Sequence, residues 1–345
     1  SDAWGEEAPT GRVTQGAAWG MMARAMLYAK RWKAASDAAL EVKKLGYELY
    51  KNPNRADKGY GELFMNRRSA RVSNKESIIE CGYSYDDKMD YSFDYFYCPS
   101  SDGGYSEVSP TENLVSAYEM ADGREFSWND AEMKAHPYEG REPRFYASIL
   151  YNGAEWKGKP IYTYEGAQDG YALGGGTTCT GYYMRKLFDE TLPKNGMRST
   201  DLTYYYMRYA EVLLIYAEAM AEQNHLTEAL DALNEVRERV DLPKKSAANK
   251  HDFMKLLRHE RMVDLAFEGH RFWDIRRWGL GTTLLNGTHM NGVKPTKVGE
   301  NSFEYQVVDC DSGSKRVYLE KYNRFPIPLT ELQQNTACEQ FEEWK

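Results

Sequence analysis

Two segments of the chain, far apart in the sequence, repeat one spacing of large and small apolar residues. One is AWGMMARAMLYAKRWKAASDAALEV, which begins at Ala18, and the other is LLIYAEAMAEQNHLTEALDALNEV, which begins at Leu213. Apolar residues three and four positions apart lie on one face of a helix, so each segment predicts two amphipathic helices joined by a short turn. A small residue, Ala23 or Ala217, stands where the two helices have to approach closely. The matched positions are Trp19, Met22, Ala23, Met26, Trp32, Ala35, Ala39 and Val42 in one segment and Leu213, Tyr216, Ala217, Met220, Leu226, Ala229, Leu233 and Val236 in the other.

This spacing resembles the helix pair of tetratricopeptide (TPR) repeats. We therefore predict a mostly α fold, with a TPR-like helix pair in residues 1–50 and further TPR-like helices in residues 201–280. After Pro243 ends one helix, another is predicted from about Asp252 to Trp278. Residues 281–345 are expected to form an extended segment and then a short helix that starts near Thr330.

Residues 51–200 have a different pattern, in which Gly, Ser, Asn and Tyr are frequent and the apolar periodicity fades. Long irregular connections in compact proteins are usually functional, so we predict a large, loop-rich functional region with short β segments. Its run DYSFDYFY (90–97) alternates strictly, which predicts an extended segment with four aromatic side chains on one face, those of Tyr91, Phe93, Tyr95 and Tyr97. A helix is expected to begin near Pro110 with Thr111 as its cap.

Composition excludes several classes of protein. The net charge is −8 and the basic residues form no long block, so nucleic-acid binding is not expected. No window of 18 residues is wholly apolar, so no segment is expected to span a membrane. The five Cys residues are sparse and odd in number, which indicates neither a disulfide framework nor a zinc site, and leaves a single Cys81–Cys98 disulfide open.

No catalytic motif is complete. The pair HE at 259–260 begins like the HExxH zinc motif, but Val263 stands where the second His is required. The run EQNH at 222–225 fits Glu-x-x-His, yet a di-iron bundle needs a second copy. The run DCDSGS at 309–314 starts like a calcium loop but lacks its Gly and its final Glu. Since GxSxG and P-loop motifs are also missing from the sequence, we predict no enzyme activity, no cofactor and no metal site.

The segment LAFEGHRFWDIRRW (265–278) combines a His, several charged residues and four large aromatics. Its apolar stripe on the predicted helix is Met262, Leu265, Ala266, Gly269, Phe272 and Trp273. A glycine inside a helix costs about 1 kcal/mol relative to Ala, so Gly269 is expected to permit close approach of another backbone. Glu268 and Arg271, like Asp274 and Arg277, are spaced to form ion pairs. Each residue thus has a packing role, and we interpret the segment as structural.

Longer stretches of the chain resemble the SusD/RagB family. They are GRVTQGAAWGMMARAMLYAKRW, PTENLVSAYEMADG, REPRFYASIL, GYYMRKLFDE, RYAEVLLIYAEAMAEQN, ALDALNEVRERV, LLRHERMVDLAFEGHRFWDIRRWG and RFPIPLTELQQN. They follow the family's order across nearly the whole chain. The resemblance implies a SusD-like fold, with a TPR-like scaffold on one side and an irregular ligand face on the other.

The family consists of surface lipoproteins of Bacteroidetes that bind nutrients, mainly oligosaccharides, and form the lid of a SusC-like TonB-dependent transporter. The resemblance therefore implies a non-enzymatic glycan-binding protein of the cell outer membrane, active in glycan uptake. Its expected partners are an oligosaccharide ligand and such a transporter, and a lipid anchor is its only expected contact with the membrane.

Two departures from the family pattern accompany this resemblance. The family's signal peptide, lipidated Cys and long N-terminal portion have no counterpart before residue 11, so we expect a chain that lacks its N-terminal portion, and with it the lipid anchor. The family's tail usually runs Asn-Pro-x-Leu-x-Gln-Asn-Pro. Here Thr336 and Phe341 replace one Pro and the second Asn, so the last residues are expected to end differently.

Sugars lay their C–H faces on aromatic rings and need polar partners for their hydroxyls. Our ligand-binding candidates are therefore Tyr91, Tyr95, Tyr97, Trp128 and Trp156. The family's own ligand residues vary among members, so none is carried over by position. Two alternatives remain: peptide cargo held through backbone hydrogen bonds, as in the RagB branch, and a TPR scaffold that binds only proteins.

Overall fold

The computed structural model describes residues 13–67, 73–84, 89, 93–172, 176–192 and 200–345. In this part of the chain the fold is mostly helical, as predicted, with short two-stranded sheets between the helices. The helices are α1 (Gln15–Tyr28), α2 (Trp32–Lys44), α3 (Tyr60–Phe64), α4 (Phe93–Tyr97), α5 (Glu112–Val115), α6 (Ala131–Ala135), α7 (Pro143–Ser148), α8 (Tyr209–Glu222), α9 (Leu226–Glu238), α10 (Lys250–Asp264), α11 (His270–Arg277), α12 (Gly281–Leu284) and α13 (Leu329–Gln334). The strands are β1 (Ser77–Gly82), β2 (Ile149–Leu150), β3 (Glu155–Trp156), β4 (Lys159–Pro160), β5 (Tyr183–Met184), β6 (Thr203–Arg208), β7 (Asn291–Lys297) and β8 (Phe303–Asp309).

The two predicted TPR-like helix pairs are present as α1–α2 and α8–α9. The first helix of each pair has 14 residues and the second has 13. The turn of each pair holds a non-glycine residue at positive φ in the same place, Lys30 at 56° and Asn224 at 66°. The small residues at the helix contacts are 0% exposed: Ala23, Ala35, Ala217 and Ala229. These alanines let the paired helices approach closely, as the spacing predicts.

Helix α8 lies at the centre of the largest apolar core, where it packs against α1, α2, α9 and α10. Strand β6 leads directly into α8 and pairs antiparallel with β1, with Cys81 opposite Tyr204 and Gly82 opposite Thr203. The remaining sheets are antiparallel pairs as well: β2 with β5, β3 with β4 and β7 with β8. The β1–β6 pair therefore connects the helical scaffold to the irregular region.

A buried charge network lies beside α10. Its centre is Asp264, which is 0% exposed and accepts hydrogen bonds from Arg208 at 2.5 Å, from Arg144 at 3.1 Å and from Arg239. Burial opposes ionisation of Asp264, but the charges of these arginines hold its pKa well below its usual range. The other members of the network include Glu76, Glu119, Glu142, Glu260, Glu268, Lys186 and Arg237. Since they come from both regions, the network ties the irregular region to the scaffold.

The helix predicted from Asp252 to Trp278 is two helices, because α10 ends at Asp264 and α11 begins at His270. Phe267 and Gly269, between them, have φ of 66° and 81°. A Cβ at Gly269 would meet no atom within 4 Å, so the expectation of a close backbone approach is wrong. The glycine instead supplies a left-handed conformation directly before α11 begins.

One of the two expected ion pairs in this segment forms. Asp274 accepts a hydrogen bond from Arg277 at 2.7 Å. Glu268 does not pair with Arg271 as expected, because the break between the helices turns it into the network, where it accepts from Lys186 at 2.7 Å and Arg208 at 2.8 Å. These contacts agree with a structural role for the segment.

The extended segment predicted for residues 90–97 is wrong over its described part, since Phe93–Tyr97 forms the short helix α4. The backbone carbonyls of Tyr95 and Phe96 accept hydrogen bonds from the N–H groups of Tyr105 and Glu107, which anchors the helix to the chain that follows it. Alternation over so few residues does not distinguish one helical turn from a strand, because tertiary contacts of this kind determine the conformation.

Three smaller expectations also have outcomes. Thr111 precedes α5, but its side chain makes no capping hydrogen bond. Cys81 and Cys98 are both free thiols, so the disulfide left open is not formed. The short C-terminal helix is present as α13, close to its expected start, whereas the long β7–β8 hairpin was not predicted. Within the described residues, no helix has the length and apolar character needed to cross a membrane.

Candidate functional site

A cavity of about 980 Å³ opens in the irregular region. It is bordered by the β3–β4 hairpin, the loop that follows it, the 3-10 turn Ser100–Asp102 and residues 190–192. The two turn residues of the hairpin, Lys157 and Gly158, have φ of 51° and 77°. This conformation is typical of tight hairpins, and it sets Trp156 opposite Lys159 at the edge of the cavity.

Three aromatic rings form one wall beside this cavity. Tyr162 and Tyr164 border it, and both pack against Phe303 at the start of β8, with ring centroids 5.8 Å and 5.7 Å apart and planes inclined by 32° and 28°. All three side chains are partly exposed. The cavity therefore has an apolar wall that a flat ligand face can contact.

The polar groups around the hairpin are linked by a hydrogen bond, an ion pair and a cation–π contact. Asp102 accepts a hydrogen bond from the indole Nε1 of Trp156, and its carboxylate lies 3.6 Å from Nζ of Lys157. Lys157 Nζ also lies 5.4 Å from the centre of the Trp156 ring. Lys159, on the opposite strand, is exposed and forms no ion pair with any described residue. This edge of the cavity thus presents an ordered carboxylate from the 3-10 turn and, from the hairpin, an ammonium group without an ion-pair partner among the described residues.

Two further carboxylates border the cavity. Asp169 is 5% exposed and accepts hydrogen bonds from the hydroxyl of Ser100 at 3.1 Å and the N–H of Ser101 at 2.8 Å. Glu190 accepts two hydrogen bonds from Arg185 Nη2, at 2.9 Å and 2.7 Å. Both carboxylates are therefore oriented by neighbours before any ligand arrives.

The structure brings one of the predicted ligand residues to this cavity and a second near it. Trp156 borders the cavity but is only 5% exposed, because its ring lies in an apolar cluster with Phe188. Tyr97 packs against the same cluster. Tyr95 lies two residues before Tyr97 on the same short helix and donates a hydrogen bond to the Tyr105 hydroxyl at 2.8 Å. Tyr91 lies outside the described residues.

Trp128 lies away from these residues and borders neither this cavity nor the smaller one described below. Its Nε1 donates to Glu112 at 2.7 Å, and its ring meets Phe126 edge-on at 5.3 Å. Glu112 also accepts from the hydroxyls of Tyr182 and Ser116. Burial raises the pKa of Glu112, although these donors oppose the rise. The indole of Trp128 thus satisfies a buried carboxyl group.

Sequence reasoning missed Tyr162 and Tyr164. Their run IYTYEG carries part of the signal that selected Tyr95 and Tyr97, namely tyrosines that alternate with other residues. Phe303 had no such signal, because it reaches the site from a hairpin far along the chain.

A smaller cavity of about 360 Å³ adjoins the first at Glu190, which borders both. Part of its wall is apolar and includes Met65, Ala147 and Phe188. The rest carries charged residues, namely Arg55, Asp57, Arg141, Arg185, Lys186 and Glu190.

Among the described residues, His289, Asp309 and Asp311 offer ligand atoms within 4.8 Å of one another. Their carboxylates already hold a turn. Asp309 accepts from the N–H of Asp311 at 2.7 Å and that of Gly313 at 2.8 Å, and Asp311 pairs with Arg316 at 2.8 Å and 2.9 Å. This arrangement explains the acidic residues of the 309–314 run as turn formers.

The sequence profile of the SusD family matches residues 75–344. Two curated relatives from Formosa agariphila, SusD-like proteins P2 and P38, are 35% and 31% identical to this chain over 113 and 107 residues. These alignments cover 30% and 28% of this chain but only 22% and 21% of the relatives.

Solved structures share the fold. A SusD-like protein from Bacteroides fragilis has a TM-score of 0.82 and 29% identity, with 99% of this chain and 67% of that protein covered. A SusD-like carbohydrate-binding protein from the same organism has a TM-score of 0.80 and 29% identity, with 96% and 66% covered. This chain thus spans about two thirds of the length of both proteins. Profile and fold agree, and the chain belongs to the SusD family.

Proposed function

We propose that this protein binds oligosaccharides in the larger cavity and does not convert them chemically. The observation that carries the proposal is the combination, around one cavity of about 980 Å³, of partly exposed tyrosine rings and oriented polar groups. Ligand cavities usually measure about 300–1,000 Å³, so this one has room for more than one sugar unit.

The chemistry of the cavity suits a sugar. The C–H face of a pyranose ring packs on an aromatic ring, which Tyr162 and Tyr164 offer, supported from behind by Phe303. Sugar hydroxyls both donate and accept hydrogen bonds. The carboxylate of Asp169 accepts them and the ammonium group of Lys159 donates them.

Relatives support this proposal. The Bacteroides fragilis structure described as a SusD-like carbohydrate-binding protein is 29% identical to this chain, and the match covers 96% of this chain. Two of our predicted residues, Trp156 and Tyr97, keep their place in the proposal as support for the cavity wall. Tyr95 and Trp128 remain candidates that do not border this cavity, and Tyr91 remains a candidate outside the described residues.

Binding without turnover is supported by the state of the carboxylates. Glycoside hydrolysis needs one carboxyl group as an acid and a second as a base or nucleophile. Each carboxylate at the cavity is held in a fixed position by a neighbour: Asp102 by Trp156, Asp169 through Oδ1 by Ser100 and Ser101, and Glu190 by Arg185. These contacts favour a fixed binding surface.

The proposal extends to place and partner. As a SusD-family protein, this chain is proposed to act at the cell surface as an outer-membrane lipoprotein that delivers glycan to a SusC-like TonB-dependent transporter. Copurification of such a transporter with the affinity-tagged protein from outer membranes tests this part.

Affinity electrophoresis in native gels tests the binding function. Gels would contain plant, host or microbial polysaccharides. We expect one of them to slow the protein without release of reducing sugar. Tyr164→Ala should weaken this binding about tenfold, equivalent to about 1.4 kcal/mol, through loss of the ring. Tyr206→Ala removes a tyrosine that is 54% exposed on β6, outside the cavity, and should bind like the wild type.

Failure of every polysaccharide to slow the protein would overturn the glycan proposal. Binding of extended peptides under the same conditions would then favour peptide cargo.

A further inference from the structure

The smaller cavity carries more positive than negative charge in its wall. Of its two carboxylates, Asp57 is saturated by hydrogen bonds from the N–H groups of Gly59 and Gly61, both at 3.0 Å, and from Arg55 Nε at 3.0 Å. Glu190 is held by Arg185. Neither carboxylate therefore remains to balance a further cation.

Arg141 is the cation of this wall that no described carboxylate contacts directly. It is 2% exposed, and its terminal nitrogens donate to the backbone carbonyls of Pro137 at 2.9 Å, Val115 at 2.6 Å and Tyr118 at 2.7 Å. It forms no ion pair with any described residue, and its Nε has no hydrogen-bond partner among them. Burial lowers the pKa of Arg141, although the charges of Glu112 and Glu142 oppose this shift. An anion in the cavity would therefore add a favourable charge interaction with this buried cation.

Arg55 stands at the mouth of the same cavity. Its side chain is 38% exposed, and only its Nε hydrogen-bonds to a described residue, Asp57. The two terminal nitrogens of its guanidinium group are thus available to a ligand. A guanidinium fork matches the planar geometry of a carboxylate and binds it with two parallel hydrogen bonds.

The apolar part of the wall adds a second requirement. Met65, Ala147 and Phe188 supply it, and Tyr146 borders the cavity with its hydroxyl already bonded to the Tyr138 carbonyl. An inorganic anion would leave this surface uncovered. A sugar ring that carries a carboxylate covers the apolar wall with its C–H face and meets the arginines with its charge.

We propose that the smaller cavity binds the carboxylate of a uronic acid residue, so that the preferred ligand is an acidic glycan whose neighbouring units lie in the larger cavity. This inference rests on the proposed glycan-binding function. The two cavities meet at Glu190, so one chain can occupy both. With its net charge of −8, the protein as a whole repels polyanions, and a preference for an acidic glycan has to come from a local site.

The test compares acidic polysaccharides with the same polymers after reduction of their carboxyl groups to alcohols. Native gels containing polygalacturonate, alginate or hyaluronan, each beside its reduced form, measure the effect of the carboxylate alone. We expect at least one acidic polymer to bind about tenfold or more tightly than its reduced form. Arg55→Gln should abolish most of that difference, and Arg124→Gln, which removes an exposed arginine outside both cavities, should leave it unchanged.

Each other outcome contradicts one of the two proposals. Equal binding of acidic and reduced polymers would overturn the uronate site and leave glycan binding intact, as would a preference that survives Arg55→Gln. Tyr164→Ala separates the two cavities further, because it should weaken acidic and reduced polymers alike. No binding of any polymer, acidic or neutral, would overturn the glycan-binding function itself and the uronate site with it.

Discussion

Asp264 is one carboxylate that meets three arginines in a space closed to water. Taking charged groups out of water costs several kcal/mol each, and their mutual attraction offsets this cost only when every partner is in place. Each buried charge of the network is therefore stabilised by the opposite charges around it. The acidic residues at the end of α10 and in the segment that follows it, Asp264 and Glu268, are thus explained by packing between the two regions.

We expect acid to destabilise the protein through Glu268. Burial opposes its ionisation, but Arg208 and Lys186 lower the pKa of Glu268 to about 2. The pKa of Glu in an unfolded chain is about 4.3. As the pH falls, the unfolded chain is therefore protonated at this position before the folded protein is. The stability that ionised Glu268 contributes above that pH is lost as the pH falls toward 2. The expected loss between pH 7 and pH 3 from this group is about 2 kcal/mol, measured as the unfolding free energy in urea.

Two variants isolate this contribution. Glu268→Gln should cost about 3 kcal/mol or more at pH 7, because two buried cations lose a partner, and should show a shallower acid slope. Glu132→Gln, which changes an exposed carboxylate, should keep the wild-type slope. A Glu268→Gln protein with the full wild-type slope would show that other carboxylates carry the acid response.

At the scale of elements, three glycines with positive φ allow the cost of a left-handed backbone to be distinguished from the cost of a steric clash. A Cβ at Gly269 or at Gly153 meets no atom within 4 Å, so each change to Ala should cost only the left-handed conformation, about 1–2 kcal/mol. A Cβ at Gly181 would lie 1.9 Å from the Val293 carbonyl oxygen on β7. Gly181→Ala should therefore cost clearly more in chemical denaturation than the other two. Equal costs for all three would mean that this loop is not held against β7.

The helix pairs were predictable because their signal is local: a small residue and its large neighbours within one turn of helix decide the contact. The irregular region was not predictable, because the conformation of its short elements depends on contacts with residues far away in the sequence. Tyr97 alternates like a strand residue yet lies in a helix, and the ring that supports Tyr162 and Tyr164 comes from β8. For the same reason the sequence pointed to aromatic ligand contacts but selected only Trp156 at the cavity.

At the scale of the whole molecule, no covalent cross-link joins the two regions, since all five cysteines are free. We expect five thiols per chain to react with Ellman's reagent in denaturant without reductant. In the native protein, Cys98 should react slowly because it is 1% exposed, and Cys310 because burial raises its pKa to about 12. A count of three thiols in denaturant would reveal a disulfide and contradict the structure.

The buried charge network also bears on how the chain reaches this structure. Glu76 lies 132 residues before Arg208 and 163 before Arg239, and Arg144 lies 116 residues before Glu260. Contacts between residues so distant in sequence form late and slow folding, since long loops must close first. The helix pairs, which are local, have no such delay. Folding should thus begin with the helix pairs. It should end with a slow step, in which charged residues from distant parts of the chain are buried together.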